Sequence, residues 1–137
     1  MRVLSQRGSS TLIMVIILLL MGTLMLNATR RQLGDAVSLV GDERIYLQQF
    51  TAATSALAWG QRLPWKAAEG WQCQQLGEYR WRACLHVARM LLRADSGPDT
   101  LTLYHWMNKS RSGRWKFRPH GWLDFCPLTE KGGCDVE

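Results

Sequence analysis

Acidic residues are missing from the first 34 positions of this 137-residue chain, and cysteine is missing from the first 72. The run 8–29 carries no charge at all, while Arg2, Arg7, Arg30 and Arg31 flank it. Those four account for much of the net charge of +6: of 17 Lys/Arg, 13 remain from Gln32 onward, against 11 Asp/Glu. The part beyond the apolar run is therefore only mildly basic, and the overall basicity is no argument for nucleic acid. Cys-x2-4-Cys is also absent, because the four cysteines are spaced Cys73-x10-Cys84 and Cys126-x7-Cys134. That disfavours a structural zinc knuckle. There is no Gly-x-Ser-x-Gly, no glycine loop of the phosphate-cradling kind, and the three histidines (His86, His105, His120) are scattered. An enzyme is not expected, and neither are catalytic, metal-binding or cofactor residues. Repeats and low-complexity tracts are lacking as well. Asp124 reads as a capping or backbone-bonding side chain.

What is present begins with the apolar run. A helix rises about 1.5 Å per residue, so 22 uncharged residues span a hydrocarbon core of ~30 Å. A cleaved secretory signal needs a shorter run and small residues at −3 and −1; a cut after Ala28 would leave Leu26 at −3. A retained anchor is the better reading. Positive charges on the two flanks nearly balance, so the cysteines decide orientation. An even number of cysteines behind a membrane segment points to disulfides in an oxidising compartment, with free thiols or metal as rivals. The expectation is a single membrane pass with the amino terminus inside and the C-terminal part outside. Four cysteines allow three connectivities, and short separation favours Cys73–Cys84 with Cys126–Cys134.

The helix is expected to run on past the membrane. Positions 33, 36, 40, 43, 47, 50, 54 and 57 read Leu, Ala, Val, Glu, Leu, Phe, Thr, Leu, six of them apolar at helical spacing. Gly60 and Pro64 predict its end, giving a stem over 9–59 about 75 Å long. Gly34 and Gly41 within it each cost about 1 kcal/mol relative to alanine. From Pro64 the period changes to two. "YRWRACLHV" alternates Tyr79, Trp81, Ala83, Leu85 and Val87 with Arg80, Arg82, Cys84 and His86. "TLTLYHWM" (100–107), "RWKFRP" and a short "GWLDFC" read as further strands, with "SGPD" and "NKSRSG" as turns. One long helix followed by strands predicts an α+β fold, an antiparallel sheet on the helix stripe.

Of seven tryptophans, Trp59, Trp81 and Trp106 are expected in the core, and Trp65, Trp71, Trp115 and Trp122, near turns, are candidates for contact with a neighbouring subunit. Lys109, Arg111, Arg114, Lys116 and Arg118 form a basic hairpin with Trp115 and Phe117 interleaved. One wet basic face on an edge hairpin discourages sheet-to-sheet aggregation. An anionic partner is the second reading, and nucleic acid is not expected.

"MRVLSQRG", the apolar helix immediately behind it and the amphipathic continuation resemble the type IV pilins and type II secretion pseudopilins. "SALAWG" (55–60), "GWLDFCPL" (121–128) and Cys134 resemble more narrowly a small enterobacterial group of prepilin-peptidase-dependent proteins. The resemblance implies a leader over 1–8, cleavage between Gly8 and Ser9 by a prepilin peptidase, and a methylated mature terminus. It further implies a pilin-like fold and a periplasmic domain over 60–137. The expected partners are the membrane, the peptidase and other minor pilins or pseudopilins. One departure is informative. The glutamate that fibre-forming members carry at the fifth mature position is replaced here by Ile13, or by Met14 if "TLI" sets the register. A buried ammonium without its carboxylate is costly, so a homopolymer is not expected. The reading is a minor, low-copy subunit at or near the tip of a pilus or pseudopilus. The alternative is a static single-pass membrane protein with a periplasmic interaction domain, or, further off, a DNA-uptake receptor.

Overall fold

The computed structural model describes residues 7–136, and side chains from Ser10. Positions 1–6 of the expected leader lie outside the described residues. One helix, α1 (Arg7–Gln61), precedes five strands: β1 (Trp71–Leu76), β2 (Trp81–His86), β3 (Leu91–Asp95), β4 (Leu103–Lys109) and β5 (Trp115–Leu123). The chain divides into two units at Glu43/Arg44. The first holds the apolar stretch of α1, and the second holds its last turns and the whole sheet.

In the second unit the fold is α+β. The strands form an antiparallel meander in the order β1-β2-β3-β4-β5. The last turns of α1 cover one face, and the stripe that packs is Phe50, Ala53, Ala56, Leu57 and Gly60. Within this unit it corrects the stripe read from the sequence: Phe50 and Leu57 face the sheet, whereas Thr54 and Leu47 point away. Small residues decide the matter. A Cβ on Gly60 would stand 2.7 Å from the Ala83 Cβ, so the helix lies close enough for glycine alone. Gly60 is thus a packing residue inside the helix, which continues to Gln61. Arg62 N–H then donates to Trp59 O (3.0 Å) and Leu63 N–H to Gly60 O (3.3 Å), tightening the final turn before Pro64.

Against this stripe the sheet presents Ala83, Leu85, Leu92, Ala94, Leu103, Met107 and Trp115, with Phe117 at the margin. Alternation puts i and i+2 of each strand on one side, and the register adds His105, opposite Leu92, to this mainly apolar face. The opposite face holds Leu91, Tyr104, Trp106, Trp71 and Leu123, and the C-terminal segment lies over it with Leu128 and Cys134. That segment has no strand or helix beyond β5 among the described residues. It is tied down by the Cys126–Cys134 disulfide, by Trp71 Nε1 donating to Gly133 O (2.9 Å), and by an Arg89–Glu130 pair at 2.6 Å.

Two strands were not read from the sequence. β3 is central and covered on both faces, so its "LLRAD" has no apolar/polar alternation to detect. β1, "WQCQQL", is an edge strand whose glutamines mask its period. "YRWRACLHV" is shorter as a strand than expected, because Arg80 occupies the left-handed region (φ 58°) to close the turn after Leu76. "RWKFRP" and "GWLDFC" are one strand rather than two. The ladder with β4 is irregular between His105 and Met107, and β5 passes through Pro119 and a left-handed His120. Pro119 is tolerated because β5 is an edge, and Gly121 is closely packed, since a Cβ there would stand 3.0 Å from Arg118 O and from the Trp106 Cβ.

Candidate functional site

The described residues of the first unit offer an extended apolar surface. From Leu12 to Leu26 the large apolar side chains of α1 are all exposed, typically by half or more. The helix is long and apolar enough to cross a membrane. In hydrocarbon every polar group needs an internal partner. Thr23 Oγ1 donates to Leu20 O and Thr29 Oγ1 to Met25 O, both at 2.9 Å, which satisfies the two hydroxyls within the helix. Beyond Arg31, Leu33, Val37 and Val40 remain exposed and recur at i, i+4 and i+7, forming one apolar stripe. Gly8 and Ser9 lie in the backbone of α1. Ile13, the fifth residue counted from Ser9, is 56% exposed.

Cysteines of the second unit form two disulfides, Cys73–Cys84 and Cys126–Cys134. The first joins directly opposed residues of β1 and β2, the second closes the C-terminal segment. Register then continues the Cys73–Cys84 row through Arg93, Tyr104 and Leu123.

The basic hairpin is not the single wet face expected of it. Lys109 pairs with Trp115 across the ladder and Lys116 with Asn108, so Lys109 and Lys116 belong to opposite faces. Lys109 Nζ stands 5.7 Å from the Trp115 ring centroid, a cation–π arrangement. Arg111 and Arg114 lie in or beside the turn, and Arg118 lies on the exposed side of β5. Trp115 is itself core, 7% exposed, which corrects its assignment to a contact set. Trp65 and Trp71 are half-buried and hydrogen-bonded, Trp65 to Gly60 O at 2.7 Å and Trp71 to Gly133 O. Trp122, of the four, is well exposed, and it forms a small aromatic surface with Phe50 and Tyr46 of α1.

Sequence reasoning missed a charged cluster. Asp95, 1% exposed, accepts from Arg82 Nε (3.1 Å) and Nη2 (2.9 Å), and Arg93 Nη2 is 3.6 Å away. Its other oxygen accepts the Gly97 N–H at 3.1 Å, which orders the "SGPD" turn. The register that joins Arg82 to Asp95 is invisible until β3 is recognised. The histidines stay apart: His86 sets its ring edge-on to Trp71, His105 stacks on Phe117, and His120 sits in the β5 irregularity. No group of three or more His, Cys, Asp or Glu suited to a metal occurs among the described residues.

Residues 17–134, most of the chain, match the family described as protein of unknown function (DUF2509), and the chain belongs to that family. No curated protein and no solved structure matches it.

Proposed function

We propose that the protein is a minor pilin-like or pseudopilin-like structural subunit. In this reading a prepilin peptidase cuts between Gly8 and Ser9, the helix anchors the chain in the inner membrane, and the sheet domain stands in the periplasm. The subunit then joins other minor pilins or pseudopilins at or near the tip of a pilus or pseudopilus. One observation carries the reading. A single helix is apolar and uncovered all round in its first stretch and is the core helix of a disulfide-bonded domain in its last turns. An ordinary anchor needs no such continuity, because a linker would serve. A stem that must pack in a bundle both within and beyond the membrane does need it, and the Leu33/Val37/Val40 stripe suits that purpose.

The test is the amino terminus of the chain recovered from membranes of cells with and without an active prepilin peptidase. A terminus at Ser9 that requires the peptidase is expected. An intact amino terminus in both strains favours the static single-pass anchor.

A further inference from the structure

The end of α1 and the start of β5 enclose an open cleft of about 730 Å³ whose lining includes Arg62, Leu63, Trp65, Arg114, Trp115 and Lys116. No carboxylate lines it among the described residues. We propose that this cleft binds a carboxylate-rich peptide segment of a partner protein.

Among the described residues the three cations have no ion pair that accounts for them. The ion pairs of the domain use Arg82, Arg89 and Arg93. A helix C-terminus attracts cations to its free carbonyls. Here Trp59 O and Gly60 O already accept from Arg62 N–H, Leu63 N–H and Trp65 Nε1, so the Arg62 guanidinium is not needed as a cap. Lys109 is held near Trp115 and is not among the cleft's lining residues. Three cationic residues on the lining of one concavity give it a positive potential, and guanidinium groups bind carboxylates through paired charge-assisted hydrogen bonds.

The aromatic content separates a peptide from nucleic acid. Single strands bind through stacking on open aromatic faces. Trp115 is only 7% exposed and Trp65 is half-buried with its N–H engaged, so neither offers a free platform. Leu63 and the two indoles add apolar lining that suits the short methylene stems of Glu or Asp. The inference uses the second unit alone and stands whether or not the chain is assembled.

The experiment uses the full chain in micelles of a neutral detergent and a fluorescently labelled, end-capped hexaglutamate peptide, with anisotropy at low salt. Saturable binding is expected, and hexaglutamine should not bind. Replacing Arg62→Gln, Arg114→Gln and Lys116→Gln together should weaken binding about ten-fold or more. Removing the same charge elsewhere, by Arg111→Gln, Arg118→Gln and Lys131→Gln, should change it less than about two-fold. Arg114→Glu alone, at an exposed position, should weaken binding by a similar ten-fold and keeps the test decisive if the triple variant misfolds. Equal weakening in both triple variants would overturn the proposal by reducing it to net charge. Absence of saturable binding would overturn it, as would a single-stranded oligonucleotide of equal charge competing better than unlabelled hexaglutamate.

Discussion

Two stretches of α1 have the same backbone and solve opposite problems. Up to Leu26 the side chains are large, apolar and uncovered, and the hydroxyls of Thr23 and Thr29 are satisfied within the helix. From Phe50 to Gly60 the buried positions are mostly small, and the helix lies so near β2 that Gly60 admits no Cβ. Bulk is useful where lipid is the solvent, because transfer free energy scales with apolar area. Smallness is useful where a sheet must come close, because packing density decides. The helix therefore needs no single hydrophobic face along its length.

Substitutions that damage one stretch and spare the other test that comparison. The largest effect is expected at Asp95, which anchors Arg82 and the turn at Gly97. Asp95→Ala leaves two half-buried guanidinium groups without a counter-charge and the Gly97 N–H without its acceptor, and should destabilise the domain by about 3 kcal/mol in chemical denaturation. Membrane fractionation should not change. Leu20→Arg attacks the other stretch. A central arginine costs about 3 kcal/mol of insertion, so the chain should shift toward the soluble or aggregated fraction, while domain melting in detergent stays as it was. Cys134→Ser opens the C-terminal segment, and loss of so short a loop closure should cost about 2–3 kcal/mol, read as a lower denaturation midpoint. Gly60→Ala gains helix propensity of about 1 kcal/mol but overpacks against Ala83, which costs about 1–3 kcal/mol. A net loss on the order of 1 kcal/mol is expected, opposite to the gain that alanine gives in an exposed helix. Val37→Gln, on an exposed position, should move domain stability by less than about 0.5 kcal/mol. If the stripe packs against other stems, the same variant should lower recovery of the subunit in assembled material.

Much of this division was legible in the sequence. The uncharged run, the flanking arginines and the period change after Pro64 follow from local chemistry, and they predict a long helix ahead of an antiparallel sheet. The helix stripe was misread because apolarity was counted by size, whereas the buried positions Ala53, Ala56 and Gly60 are selected by smallness. β3 was hidden because burial on both faces erases alternation, and with it went the Arg82–Asp95 pair, which exists only once two strands are in register. Composition displayed the basic hairpin but not its geometry. Lys109 and Lys116 part to opposite faces, and Arg62, 52 positions before Arg114, completes the cleft.

In the proposed role the anchor helix is also an assembly stem. The most direct test of that role is the location of the chain in cells that produce a pilus or pseudopilus, with filaments sheared from the surface and separated from membranes. A small amount of chain beginning at Ser9 is expected in the sheared fraction, lost when the assembly machinery is inactive. Retention of the entire population in the inner membrane under both conditions would contradict that role.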